Sequence, residues 1–198
     1  MRANGVTERY ITGDASDYEK FEKWAQTVPY TLCNPLYHWT HLELKNTFGI
    51  KGKLLRPDTA REIYDRCSEM LRTPQFSARN IMRRMNVGLI CTTEDPLDSL
   101  EDHKKIREDN FEIKVYPSFR GDKALAVENL SALNVFIDKL EEVCDMEINN
   151  FDCYIDAIRQ RHNFFDENGC RLSDYGLETS YAEDYTEAEI EKIFSKVR

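Results

Sequence analysis

The sequence is most informative at first for what it lacks. Its six cysteines, at 33, 67, 91, 144, 153 and 170, include no Cys-x-x-Cys pair, so neither a zinc knuckle nor a disulfide framework is expected. Cys67, Cys144 and Cys153 fall on apolar helical positions and Cys91 ends an apolar run. They read as buried thiols of a reducing cytoplasm. No apolar run approaches the roughly 18 to 20 residues of a membrane span. The opening MRANGVTERYITGDAS has no apolar core, and so does not read as a signal peptide. The glycines form no phosphate-cradling pattern, and neither a nucleophile elbow nor a Ser-His-Asp signature occurs. Positive charge is in deficit, with a formal net charge of −9. That weighs against tracking nucleic acid, which needs clustered Lys and Arg.

What is present suits a globular chain of 198 residues, 41% of them hydrophobic, enough for a core. Residues 1–85 read as helical and irregular. SDYEKFEKWAQTV, 16–28, opens with the capping box of Ser16 and Glu19, and Phe21, Trp24 and Val28 recur at helical spacing. A second helix is predicted over 57–71 with Pro57 at its first position. Ser77 is expected to cap a short third helix through Met85.

From about residue 86 the grammar alternates strand and helix, which predicts a parallel sheet. Strand candidates are NVGLICTT, then FEIKVYP ended by Pro117, then the very short CRLSD. Helices are predicted over 99–108, 131–144 and 151–167, the last stopped by Gly169. A C-terminal helix opens with the box of Thr186 and Glu189. Three strands are too few for a closed barrel, which takes eight strands and about 250 residues.

Several residues are candidates for chemistry. His38 and His41, in NPLYHWTHLELKNTFGI, share a face only if the segment is helical. Pro35 and Gly49 on either side argue against a long helix. A metal site, a structural role and a substrate or subunit contact stay open for them. Arg120 follows a strand candidate, where parallel sheets place their ligands, and a guanidinium there suits a carboxylate. A surface salt bridge with Asp122 is the simpler alternative. Asp174 follows CRLS and could take a proton or hold a hydroxyl, or cap the next turn. Asp95 before Pro96 reads as a turn residue, His103 as solvated, and His162 as packed in an aromatic stripe.

Longer phrases carry a family resemblance. SDYEKFEKWAQTVP, NPLYHWTHLELKNTFGI, FSARNIMRRMNVGLICTTEDPLDSLEDH, KVYPSFRGDKA and GCRLSDYGLET run in the order and spacing of the uronate (glucuronate) isomerases. The chain therefore resembles a family of amidohydrolase-like metal-dependent enzymes over nearly its whole length. The resemblance implies an α/β fold, part of a distorted (β/α)8 TIM barrel. Residues 1–85 would be a helical insertion and 86–198 the second to fourth strand units. It implies interconversion of D-glucuronate with D-fructuronate and of D-galacturonate with D-tagaturonate. It also implies a divalent metal, zinc, whose ligands are not in this chain.

The family's His-x-His motif would lie before Met1, and its His-Ile-Gly-Ala segment and final metal-binding aspartate after Arg198. The chain is thus expected to be an internal, catalytically incomplete piece. By resemblance Asp174 is a catalytic candidate, and Arg120, His38 and His41 are substrate-binding candidates, the histidines shaping a pocket wall or subunit contact. Two departures stand out: Gly121 replaces a common proline, which is expected to loosen the loop, and Tyr175 stands where many members have histidine. A uronate substrate, no nucleic acid, no membrane, self-association and a cytoplasmic location complete the expectation. A non-catalytic module binding sugar acids or a protein, and a metal hydrolase of the same superfamily, are the competing readings.

Overall fold

The computed structural model describes residues 1–176 and 182–198. The last three residues of the phrase GCRLSDYGLET lie outside them. The chain divides into two units, Met1–Asn86 and Val87–Arg198.

The first unit is built from α1 (Asp17–Thr27), α2 (Pro35–Asn46), α3 (Ala60–Leu71) and α4 (Ala78–Arg84). The expected capping box starts α1: the Ser16 hydroxyl accepts the Glu19 amide, and the Ser16 amide donates to the Glu19 carboxylate at 2.9 Å. Ser77 caps α4 more simply, its hydroxyl accepting the Asn80 amide.

Helix α2 corrects the expectation that Pro35 and Gly49 argue against a long helix here. Pro35 occupies its first turn, where the missing amide costs nothing, and Asn34 caps it by accepting the Leu36 amide at 3.0 Å. The proline starts this helix rather than breaking it. Helix α3 begins later than Pro57, because the Thr59 hydroxyl donates to Leu54 O at 2.7 Å and accepts the Arg56 amide, closing a turn first. Ala25, Val28, Leu44, Ile50, Leu55, Ala60 and Ile63 form the core. Each large side chain buried there contributes about 1.5–3 kcal/mol against leaving it exposed.

The second unit holds the sheet. Strand β1 (Leu89–Glu94) crosses through α5 (Glu101–Glu108) to β2 (Lys114–Phe119). The strands pair in parallel, with Leu89 opposite Lys114 and Glu94 opposite Phe119. Pro117 does not end β2; it sits inside it, opposite Thr92. Amides along a strand alternate in direction, so position 117 points the way of the Phe119 amide, away from β1. No partner is needed there, and a proline is tolerated. CRLSD is reduced to one parallel bridge, Ser173 with Phe119.

Helices α6 (Leu130–Cys144), α7 (Phe151–Glu167) and α8 (Glu187–Val197) close a core of Leu133, Phe136, Ile137, Leu140, Tyr154, Ala157 and Phe194. The expected box of Thr186 and Glu189 opens α8. On α7 the buried polar residue is Arg161 rather than His162, which is exposed with its ring edge-on to Phe119. Arg161 donates to Pro96 O at 2.7 Å and Asp98 O at 2.9 Å, and its guanidinium lies over Phe164. It clamps the loop that follows β1. Leu100 precedes α5 in the left-handed region, at φ 57°. Packing beside Phe119 and Phe165 offsets a strain of about 1 kcal/mol.

Tyr154 donates its hydroxyl to Ala124 O at 2.9 Å, and burial pushes its phenol well above the ordinary range. The folded state therefore holds the proton more tightly than the unfolded chain. The stability this contributes is fully present below about pH 10 and is lost as pH rises through the folded pKa. Tyr154→Phe should flatten the alkaline decline in urea-unfolding stability and cost about 1 kcal/mol at neutral pH.

Candidate functional site

Three chain segments end side by side. The Arg120 amide donates to Glu94 O at 3.0 Å, so the residue after β2 is tied to the end of β1. The Phe119 amide donates to Leu172 O at 3.0 Å and the Asp174 amide to Phe119 O at 3.1 Å, which ties in the third segment. This backbone places Thr93, Arg120 and Asp174 together.

The side chains form one network. Arg120 Nε donates to Asp122 Oδ2 at 2.8 Å. Its Nη1 lies 3.8 Å from Asp174 Oδ2, and that oxygen accepts the Thr93 hydroxyl at 3.0 Å. The Gly176 amide donates to the Asp122 carboxylate at 3.0 Å. Arg120, Asp122 and Asp174 each keep over a third of their side-chain surface open to solvent. Arg120 thus has the salt bridge of the simpler reading and still keeps 39% of its side-chain surface open. At the rim Lys123 Nζ meets Asp95 Oδ2 at 2.6 Å, a bond that raises the lysine's affinity for its proton. Asp95 also accepts the Leu97 amide, the turn role expected of it.

One expectation changes here. His103 is buried, not solvated: its Nε2 lies 2.7 Å from the Thr92 hydroxyl and 3.6 Å from Glu94 Oε1. Its charged sequence neighbours concealed the one face of α5 that turns inward. The Tyr175 ring lies against Gly121. Among the described residues Asp174 Oδ2 accepts from the Thr93 hydroxyl.

His38 and His41 lie in the first unit, on α2. His38 is exposed, its ring edge-on to Tyr37. His41 is used at both nitrogens: Nδ1 lies 2.7 Å from Tyr37 O, and Nε2 accepts the Leu55 amide at 3.0 Å. The second bond sets the tautomer, with the proton on Nδ1.

Among the described residues no group of three or more His, Cys, Asp or Glu is placed to hold a metal ion. The pair Asp122 and Asp174 faces the Arg120 guanidinium from two sides. A fixed cation there repels another, so these residues do not fit a metal.

The profile of the glucuronate isomerases matches residues 1–198. The chain belongs to that family. Uronate isomerase from Bacteroides thetaiotaomicron is 61% identical over 198 residues, and that from Phocaeicola vulgatus 59%. Both alignments take in all of this chain and 42% of the relative, so the chain spans about two-fifths of their length. The crystal structure of uronate isomerase from Thermotoga maritima superposes with a TM-score of 0.91 at 32% identity, over 99% of this chain and 43% of that one. Glucuronate isomerase from Caulobacter crescentus, at 24% identity and a TM-score of 0.89, shares the fold.

The bonding of His41 leads to a clear expectation. His41→Ala strands the Leu55 amide, whose residue is almost wholly buried. The loss should be about 1–3 kcal/mol in urea unfolding.

Proposed function

We propose that this chain supplies part of the active site of a uronate isomerase. That enzyme would interconvert D-glucuronate with D-fructuronate and D-galacturonate with D-tagaturonate. The observation that carries the reading is the Arg120 network at the strand ends, in a chain 61% identical throughout to a uronate isomerase. Residues 86–198 are read as the second to fourth strand units of a (β/α)8 barrel, and 1–85 as a helical insertion before them. In such barrels the C-terminal strand ends carry the site.

Moving a carbonyl to the neighbouring carbon is an internal redox change and needs only a proton relay. A base removes the proton from the carbon beside the aldehyde, an enediol forms, and the proton returns to the former carbonyl carbon. The exposed part of the Arg120 guanidinium is suited to the substrate carboxylate. Asp122 holds Nε and so fixes the plane of the fork. Asp174, steadied by Thr93, is the group placed to hold a hydroxyl or carry a proton beside it. The family resemblance implies zinc or another divalent metal, and its ligands would come from residues outside this chain. A cytoplasmic location belongs to the same reading. Association with further copies is supported by Leu36, Trp39 and Leu42, exposed on α2.

The test is formation of ketose from D-glucuronate by the full gene product that carries this chain. Arg120→Met should lower kcat/KM by about a hundredfold, near 3 kcal/mol of transition-state stabilisation. An unchanged kcat/KM would remove Arg120 from the substrate.

A further inference from the structure

Two glycines in the site are there for space rather than for backbone freedom. Gly121 has φ −87°, a value open to any residue. A Cβ at 121 would nevertheless meet Tyr175 Oη at 2.7 Å and Cε1 at 2.8 Å, closer than real carbons approach. A Cβ at Gly176 would meet Arg120 Nη2 at 3.0 Å and Asp122 Oδ2 at 3.2 Å. The turn 119–123 and the turn 173–176 therefore interlock. Each offers a bare backbone surface to the other's large side chain.

The interlock has a direction. The phenol ring seated on Gly121 holds the second turn against the first. That holds the Gly176 amide on the Asp122 carboxylate, which in turn holds Arg120 Nε. Arg120 is left with Nη2 packed on Gly176 and Nη1 turned to Asp174. We infer that Tyr175 is a positioning residue: its ring, admitted by Gly121, sets the orientation in which Arg120 receives the substrate carboxylate. The substrate in this statement rests on the isomerase reading above; the interlock does not. Partial desolvation of this otherwise exposed side chain and the negative charge of Asp122 push the Tyr175 phenol above its ordinary range. It stays protonated at neutral pH, and the ring rather than a phenolate is the working part.

A double-mutant cycle on the full gene product tests this, with kinetics on D-glucuronate and Tm as a control of folding. Tyr175→Ala and Gly121→Ala should each raise KM about tenfold and change kcat less than about threefold. The two sites act through one contact, so Gly121→Ala/Tyr175→Ala should be no worse than either single change. Tyr175→Phe, which keeps the ring, should recover most of the Tyr175→Ala loss.

Independent, multiplying effects, or a silent Gly121→Ala, would overturn the inference. So would a fall in kcat and Tm with KM unmoved. A second readout needs no turnover: in glycine-selective 15N-labelled protein, the Gly176 amide resonance should move in Tyr175→Ala and return in Tyr175→Phe. An unmoved resonance would refute the interlock. Wild-type protein lacking turnover, with the resonance behaving as expected, would sink the isomerase reading alone.

Discussion

The site turns on one shared carboxylate. Asp122 accepts from the Arg120 guanidinium on one side and from the Gly176 amide on the other. It is therefore both the partner of the charged group and the tie between two turns distant in sequence. A charge-assisted bond of this kind contributes roughly 1.5–3 kcal/mol when shielded, and much less when fully wet. Here the groups are part-shielded, so geometry matters more than energy. An arginine on a long, mobile stem acquires one orientation because its Nε is occupied.

The same economy appears around the sheet. Arg161, buried on α7, spends its donors on Pro96 O and Asp98 O, and so fixes the loop leaving β1. His103 reaches Thr92 from α5 and fills the space beneath Glu94. Neither contacts the guanidinium, yet both constrain the strand to which the Arg120 amide is tied. His41 has the corresponding task in the first unit, joining α2 to the segment before α3. Arg161 and His41 serve loop backbone groups, Pro96 O, Asp98 O and the Leu55 amide, whereas His103 meets side chains of β1.

Local rules made much of this legible. The boxes at Ser16 and Thr186, the cap at Ser77 and the apolar stripes of α6 and α7 are all encoded within four residues of where they act. The placement of Arg120 and Asp174 at strand ends could be read from the order of apolar runs and turns. What could not be read depends on distant partners. Pro35 reads equally as breaker or starter until the Asn34 cap is seen. His103 sits among charges and still points inward because β1 lies beneath it. Arg161 and His162 are neighbours on one helix, and only the loop they face decides which is buried. The relation of Gly121 to Tyr175 spans 54 positions, and no local pattern registers it.

Pro117 also bears on where Asp174 can be. Side-chain alternation means that a neighbouring segment sliding along β2 can keep its faces only in steps of two residues. A slide of two toward the start of β2 would carry the Leu172 carbonyl from the Phe119 amide to position 117. A proline there has no hydrogen to give. The nearest false register in that direction thus keeps only one of the two backbone bonds, and a displacement of about 6.6 Å that would draw Asp174 away from Arg120 is disfavoured. A residue lying outside the network of charges keeps its members aligned by what it withholds.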